Sequence, residues 1–140
     1  MQRIKFSELK EGDSIPELRT KPIEHMTLVR YAGASGDFNP IHTDPTFAKG
    51  VGLDGTIAHG MFTMAQIGRM LSAWVNPAQV KEFGVKFKAM AKPGQSLTCT
   101  GSIKKLKADD DGRKLVTVSV QAADENGEVK AAGDVVIEAD

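Results

Sequence analysis

Residues 57–75 hold the one long helical pattern in the chain, and it is apolar on nearly every side. Met61, Met64, Ala65, Ile67, Met70, Leu71, Trp74 and Val75 cover most of the circumference, leaving Thr63, Gln66, Arg69 and Ser72 as a narrow polar stripe at three-residue steps. A helix this apolar is expected to be buried rather than laid on a surface, so the rest of the chain must wrap it. Ala58, Gly60, Gly68 and Ala73 are small enough to let another backbone approach, and Asn76-Pro77 ends the helix.

After Pro77 the apolar period changes from helical to two. Phe83, Val85, Phe87 and Ala89 alternate with Gly84, Lys86 and Lys88; Leu97, Cys99 and Ile103 with Thr98, Thr100 and Ser102; Val116, Val118 and Val120 with Thr117 and Ser119; Val135 and Ile137 with Asp134 and Glu138. Lys92-Pro93-Gly94, Asp109-Asp110-Asp111-Gly112 and Glu125-Asn126-Gly127 punctuate the runs as turns. Four consecutive strands joined this way predict an antiparallel meander. The expected class is α+β, one antiparallel sheet curled over one buried helix, with 1–140 as a single domain.

Upstream, residues 1–22 predict an irregular start with one short strand, and 24–34 a short amphipathic helix after Pro22, stopped by Gly33 and Gly36. From Gly36 to Gly55 the chain reads as a long polar loop. Within it Gly36-Asp37-Phe38-Asn39-Pro40-Ile41-His42 places a carboxylate and an imidazole five residues apart. On a helix that step would turn the two side chains about 140° apart, but Pro40 pushes Asn39 out of the helical region and ends any helix before it. A turn instead brings both polar heads to one point, as a water-activating pair requires.

The 140 residues carry 18 basic and 18 acidic side chains. That balance gives no electrostatic ground for capturing nucleic acid or a membrane surface. No apolar run approaches the roughly 18 residues of a membrane span, and the first residues lack the apolar core of a leader. One cysteine, Cys99, excludes an internal disulfide framework and fits a reducing compartment; the expected location is the cytoplasm.

The stretch YAGASGDFNPIH, followed by AHGM at the start of the long helix, resembles the hydratase motif of the MaoC-like dehydratases, (R)-specific enoyl-thioester hydratases of the hot-dog fold. It is most similar to HadB-like subunits of 3-hydroxyacyl thioester dehydratases, over nearly the whole chain. The resemblance implies interconversion of trans-2-enoyl and (R)-3-hydroxyacyl thioesters of coenzyme A or an acyl carrier protein, without metal or cofactor. It implies Asp37 and His42 as the pair that activates water, the Gly60 backbone N–H as the donor to the thioester oxygen, and Asn39 as a brace of the loop. Some relatives carry a serine where this chain has Gly68, so any role of that hydroxyl is absent or moved.

Simpler readings stand beside these. His59 reads as structural, a hydrogen-bonding support for the loop; His25 as solvated or capping; Asp44 and Asp54 as turn residues. A metal site from His42, His59 and nearby carboxylates lacks recognised ligand spacing. Lys86, Lys88, Lys104, Lys105 and Lys107 read as the wet face of a sheet or as contacts to coenzyme A phosphates. A hot-dog thioesterase and a non-catalytic acyl-binding subunit are the competing functions. The apolar helix predicts a dimer, with an identical or related subunit completing its cover. The acyl tail is expected along Met61, Phe62, Met64 and Ala65, past Gly68, or under the 47–53 loop.

Overall fold

The computed structural model describes residues 2–140, and the period-two runs become its curved wall. After β1 (Leu18–Arg19) come α1 (His25–Ser35), α2 (Pro45–Gly50) and α3 (Gly60–Trp74), followed by β2 (Val80–Phe87), β3 (Thr98–Ala108), β4 (Lys114–Ala123) and β5 (Val129–Ala139). The five strands form one antiparallel sheet in the order β1-β3-β4-β5-β2. Inward residues follow the expected phase: Cys99, Val116, Val118, Val135 and Ile137 are fully buried, and Val120 nearly so. They close over Ile67, Met70, Leu71 and Val75 of α3 in the larger of two core clusters, the smaller joining Ile23, Leu28, Ala58, Ala91 and Leu97. Each such side chain contributes about 1.5–3 kcal/mol by leaving water. Burial lifts the Cys99 thiol to about 11, which makes it a packing group and not a reactive one.

The meander holds for β3, β4 and β5 but not for β2. Instead of lying beside β3, β2 sits at the far edge, against β5. The cause lies in the connection. Residues 88–97 are not a tight hairpin: the Lys88 N–H bonds the Lys130 carbonyl (2.8 Å), Ala91 accepts the Ala58 N–H (2.8 Å), and Gly94, at φ +89°, bonds Ile23 (2.7 Å). This ten-residue span crosses the open end of the curl. Where β2 meets β5 the backbones nearly touch: a Cβ on Gly133 would lie 1.9 Å from the Gly84 carbonyl oxygen.

α3 starts at Gly60 rather than at 57, because the backbone of residues 57 and 58 is already committed to other partners. Its burial is one-sided. Met61 is 55 % exposed, and Ala65, Arg69, Ser72 and Ala73 are exposed too. The stripe read as polar is split, with Thr63 and Gln66 buried. The expected long loop also contains structure, a 3-10 turn at Pro40–His42 and then α2. Asp44 is not a turn residue but the cap of α2, accepting the Thr46 and Phe47 N–H groups ahead of Pro45 in the first turn.

Candidate functional site

Gly36 ends α1 in the left-handed conformation, φ +76°, and aims the chain away from the helix axis. Two side-chain turns follow. Asp37 Oδ1 accepts the Asn39 N–H at 3.2 Å, and Asn39 Oδ1 accepts the Ile41 N–H at 3.2 Å. With Pro40 opening the 3-10 turn, this folds His42 inward until its ring is buried. The expected convergence of Asp37 and His42 is therefore present, and Asn39 is built into the turn that makes it.

His42 Nδ1 lies 2.8 Å from the Ile57 carbonyl oxygen. A carbonyl only accepts, so Nδ1 carries the hydrogen and Nε2 presents its lone pair. Nε2 stands 3.6 Å from Asp37 Oδ2. That is too long for a hydrogen bond and leaves room for a third atom within reach of both. The Asp37 side chain is about half exposed, so the pair has one dry partner and one wet one.

His59 supports the pair from behind. Its Nε2–H donates to the Asp37 backbone carbonyl at 3.1 Å, and its ring lies stacked on that of His42 while Tyr31 meets its edge. Its Nδ1 is buried and has no partner among the described residues. Burial, with the neighbouring His42 adding to it, holds the His59 pKa below the ordinary histidine value despite the bond to Asp37. Burial thus favours the neutral form of His59.

Donor atoms of Asp37, His42 and His59 lie within 4.8 Å of one another. The rings are only 22° from parallel, however, with centroids 3.8 Å apart. Imidazole lone pairs lie in the ring plane, so stacked rings do not aim them at one ion, as a tight metal site requires.

Of the pair, His42 lines a cleft of about 320 Å³, together with Gly60, Thr63, Phe87, Lys130 and the 88–91 span among others, and Asp37 stands outside its walls. Its helical wall is the start of α3, which has no side-chain cap; the N–H groups of Gly60 and Met61 find no acceptor among the described residues. This end favours negative charge. The Phe87 ring covers it, and a Cβ on Gly60 would meet that ring at 3.1 Å. The cleft departs from expectation in its walls. Met61, Phe62, Met64 and Ala65 do not line it, and Gly68 faces Phe83 (3.6 Å). The crossing of residues 88–91 supplies the wall instead. Thr63, Phe87, Lys130 and the Ile57 carbonyl were missed as site groups by sequence reasoning; the place of Thr63 at the N-terminal end of the polar stripe, one turn from Gly60, was the one available signal.

The curled antiparallel sheet closed over α3 defines a class by its fold, the hot-dog proteins. The (R)-hydratase PhaJ1 of Pseudomonas aeruginosa in its unliganded form shares the fold with a TM-score of 0.82 over 98% of this chain and 86% of that one, at 24% identity. The chain belongs to the MaoC-like domain family, whose profile matches residues 9–126. Among sequence relatives, a fatty acid synthase subunit beta of Schizosaccharomyces pombe is 40% identical over 99 residues, 64% of this chain. A 3-hydroxyacyl-thioester dehydratase X of Mycobacterium tuberculosis is 58% identical over 38 residues, 27% of this chain. The matches span only 4% and 14% of those two proteins.

Proposed function

We propose that this chain is a hydro-lyase that interconverts trans-2-enoyl and (R)-3-hydroxyacyl thioesters in fatty-acid metabolism, with Asp37 and His42 as its catalytic pair. The observation that carries the reading is the 3.6 Å separation of His42 Nε2 and Asp37 Oδ2, with His42 on the wall of a cleft that it shares with the uncapped start of α3. A water in that gap is within reach of a base on either side. As its oxygen bonds to C3 of the enoyl group, one member of the pair takes its proton. The electrons pass through C2 to the thioester oxygen, where the Gly60 N–H receives the charge. C2 then takes a proton from the pair, and hydration is complete; dehydration retraces the steps. Asn39 and His59 support this geometry through the Asp37 turn.

Relatives named as a fatty acid synthase subunit and a 3-hydroxyacyl-thioester dehydratase support a thioester of coenzyme A or an acyl carrier protein as substrate. The reading takes residues 1–140 as one domain acting in the cytoplasm. No helix among the described residues is long and apolar enough to cross a membrane. A dimer, with an identical or a related subunit, is part of it. β2 pairs on one side only, and Phe87, Met90 and Met61 stand about half exposed around it and the cleft. Sedimentation showing a fully active monomer would remove that part.

The test is purified protein with crotonyl-coenzyme A, following loss of the enoyl absorbance with free thiol monitored in parallel. Loss of absorbance without thiol is the expected result. Thiol release would make the protein a thioesterase, and neither signal a non-catalytic subunit.

A further inference from the structure

Three polar side chains on α3 are placed to choose between solvent and interior, and they resolve differently. Gln66 is buried but satisfied: its Nε2 donates to the Phe62 carbonyl at 3.1 Å and its Oε1 accepts from Arg69 at 2.7 Å. Ser72 is exposed and bonds the Arg69 carbonyl. Thr63 is 4 % exposed as a residue and makes no side-chain hydrogen bond among the described residues, yet its oxygen is not a sealed, unpaired atom as His59 Nδ1 is: it keeps its opening to the cleft. A helical threonine ordinarily returns its hydroxyl to the carbonyl four residues back. Here that carbonyl, of His59, already accepts the Phe62 and Thr63 N–H groups. Thr63 lines the cleft together with His42 and Gly60.

We propose that the Thr63 hydroxyl is a second donor to the thioester oxygen, acting beside the Gly60 N–H, an inference that rests on the hydro-lyase reading above. Residues three apart share a helix face, and helical side chains lean toward the N-terminus. The Thr63 hydroxyl therefore lies over the turn that begins at Gly60, on the side of the uncapped N–H groups. Valine would fill nearly the same volume, so packing alone gives no use for an oxygen that opens on the cleft. A thioester bound in the cleft supplies that oxygen with a partner. As the oxygen becomes an enolate it gains charge, and a hydroxyl already fixed by the helix donates to it without reorganisation. The donor acts on the transition state more than on the bound substrate, so its removal is felt in kcat and not in KM.

The experiment uses the full chain with crotonyl-coenzyme A and compares Thr63→Val, which keeps shape and loses the hydroxyl, with Thr63→Ser, which keeps the hydroxyl and loses the methyl. Thr63→Val should lower kcat by about 10²-fold, the usual effect of removing one such donor, with KM changed by less than about threefold. Thr63→Ser should keep at least about a third of the wild-type kcat. A packing role predicts the reverse order, with serine the more damaged, and that result overturns the proposal. So does a Thr63→Val enzyme within about threefold of wild type, or one whose loss lies in KM. If wild-type protein does not hydrate crotonyl-coenzyme A at all, the hydro-lyase reading fails, and the Thr63 proposal with it.

Discussion

The ring of His59 lies flat against the ring of His42, centroids 3.8 Å apart, and only one of the two faces the cleft. Burial, which first of all lowers the His59 pKa, favours its neutral form. Its folded pKa is depressed, so the unfolded chain binds the proton more readily. The stability that His59 contributes is therefore complete above its unfolded value, near 6.5, and is lost as pH falls through the lower folded value. Glutamine at 59 can still donate to the Asp37 carbonyl but does not titrate. Thermal melts of His59→Gln should show a shallower fall in Tm between pH 7 and pH 5 than the wild type; equal slopes would deny the role.

Asp37→Asn and His42→Ala should each lower hydration of crotonyl-coenzyme A by at least about 10²-fold, the low end for lost acid–base catalysis. The two should differ in stability. Asp37 is half exposed, so its variant should melt within a degree or two of the wild type. His42 is buried and donates to the Ile57 carbonyl, so its loss should cost about 1–2 kcal/mol, or several degrees of Tm. Near-wild-type turnover in either variant would remove the pair from the mechanism.

Gly60→Ala places a methyl at 3.1 Å from the Phe87 ring. That ring is half exposed and free to swing, so the fold should survive with a small drop in Tm. The methyl nevertheless stands where a thioester must approach the N–H, and turnover should fall about tenfold or more. Adding Phe87→Ala should restore Tm but not turnover. Recovery of both would mean that the glycine serves the aromatic contact alone.

Lys130 is buried against Asp124 (3.3 Å) and also pairs with Glu128. Burial works against the charge on each. Even so, hydrogen bonds from Glu128, Lys130 and Asn126 hold the Asp124 pKa below the carboxylate range, and Glu128 and Asp124 raise that of Lys130. The stability from Asp124 is present above about pH 4 and lost as pH falls through its lower folded pKa. That from Lys130 is present below about pH 10 and lost as pH rises through its higher one. Lys130→Ala should leave Asp124 buried and unpaired and lower Tm by on the order of 10 °C at pH 7. Urea titrations from pH 3 to pH 11 should show wild-type stability falling at both ends, and the acid fall should be smaller in Lys130→Ala.

Gly133→Ala should be the most damaging small change in the sheet. Its methyl has no place within 2 Å of the Gly84 carbonyl oxygen, and backbone has to move to admit it. We expect little soluble protein and loss of cooperative unfolding; a variant with wild-type Tm would contradict the close crossing of β2 and β5.

Much of this was open to reading in the sequence where the information was local. Alternation revealed the inward faces of β3, β4 and β5, because an apolar residue at every second position has one dry side. Gly36, Asn39 and Pro40 announced the turn that brings Asp37 to His42. What escaped was non-local. No residue pattern in 80–87 states which strand it pairs with; only the path of residues 88–97 and the bare backbone at Gly133 decide that. The cleft walls were misplaced for the same reason, since they come from that crossing and not from α3. Thr63 was hidden because a polar residue on a helix reads as solvent-facing until its neighbours are known.

His42 is held by the carbonyl of Ile57, and the backbone of Asp37 by the side chain of His59, so two segments separated by the whole of α2 hold each other in register. Transplanting residues 36–42 alone onto another scaffold would carry the recognisable letters without their alignment. A functional graft must carry residues 56–60 as well, and conversely these twelve positions form the smallest cassette through which the proposed chemistry could be moved or exchanged.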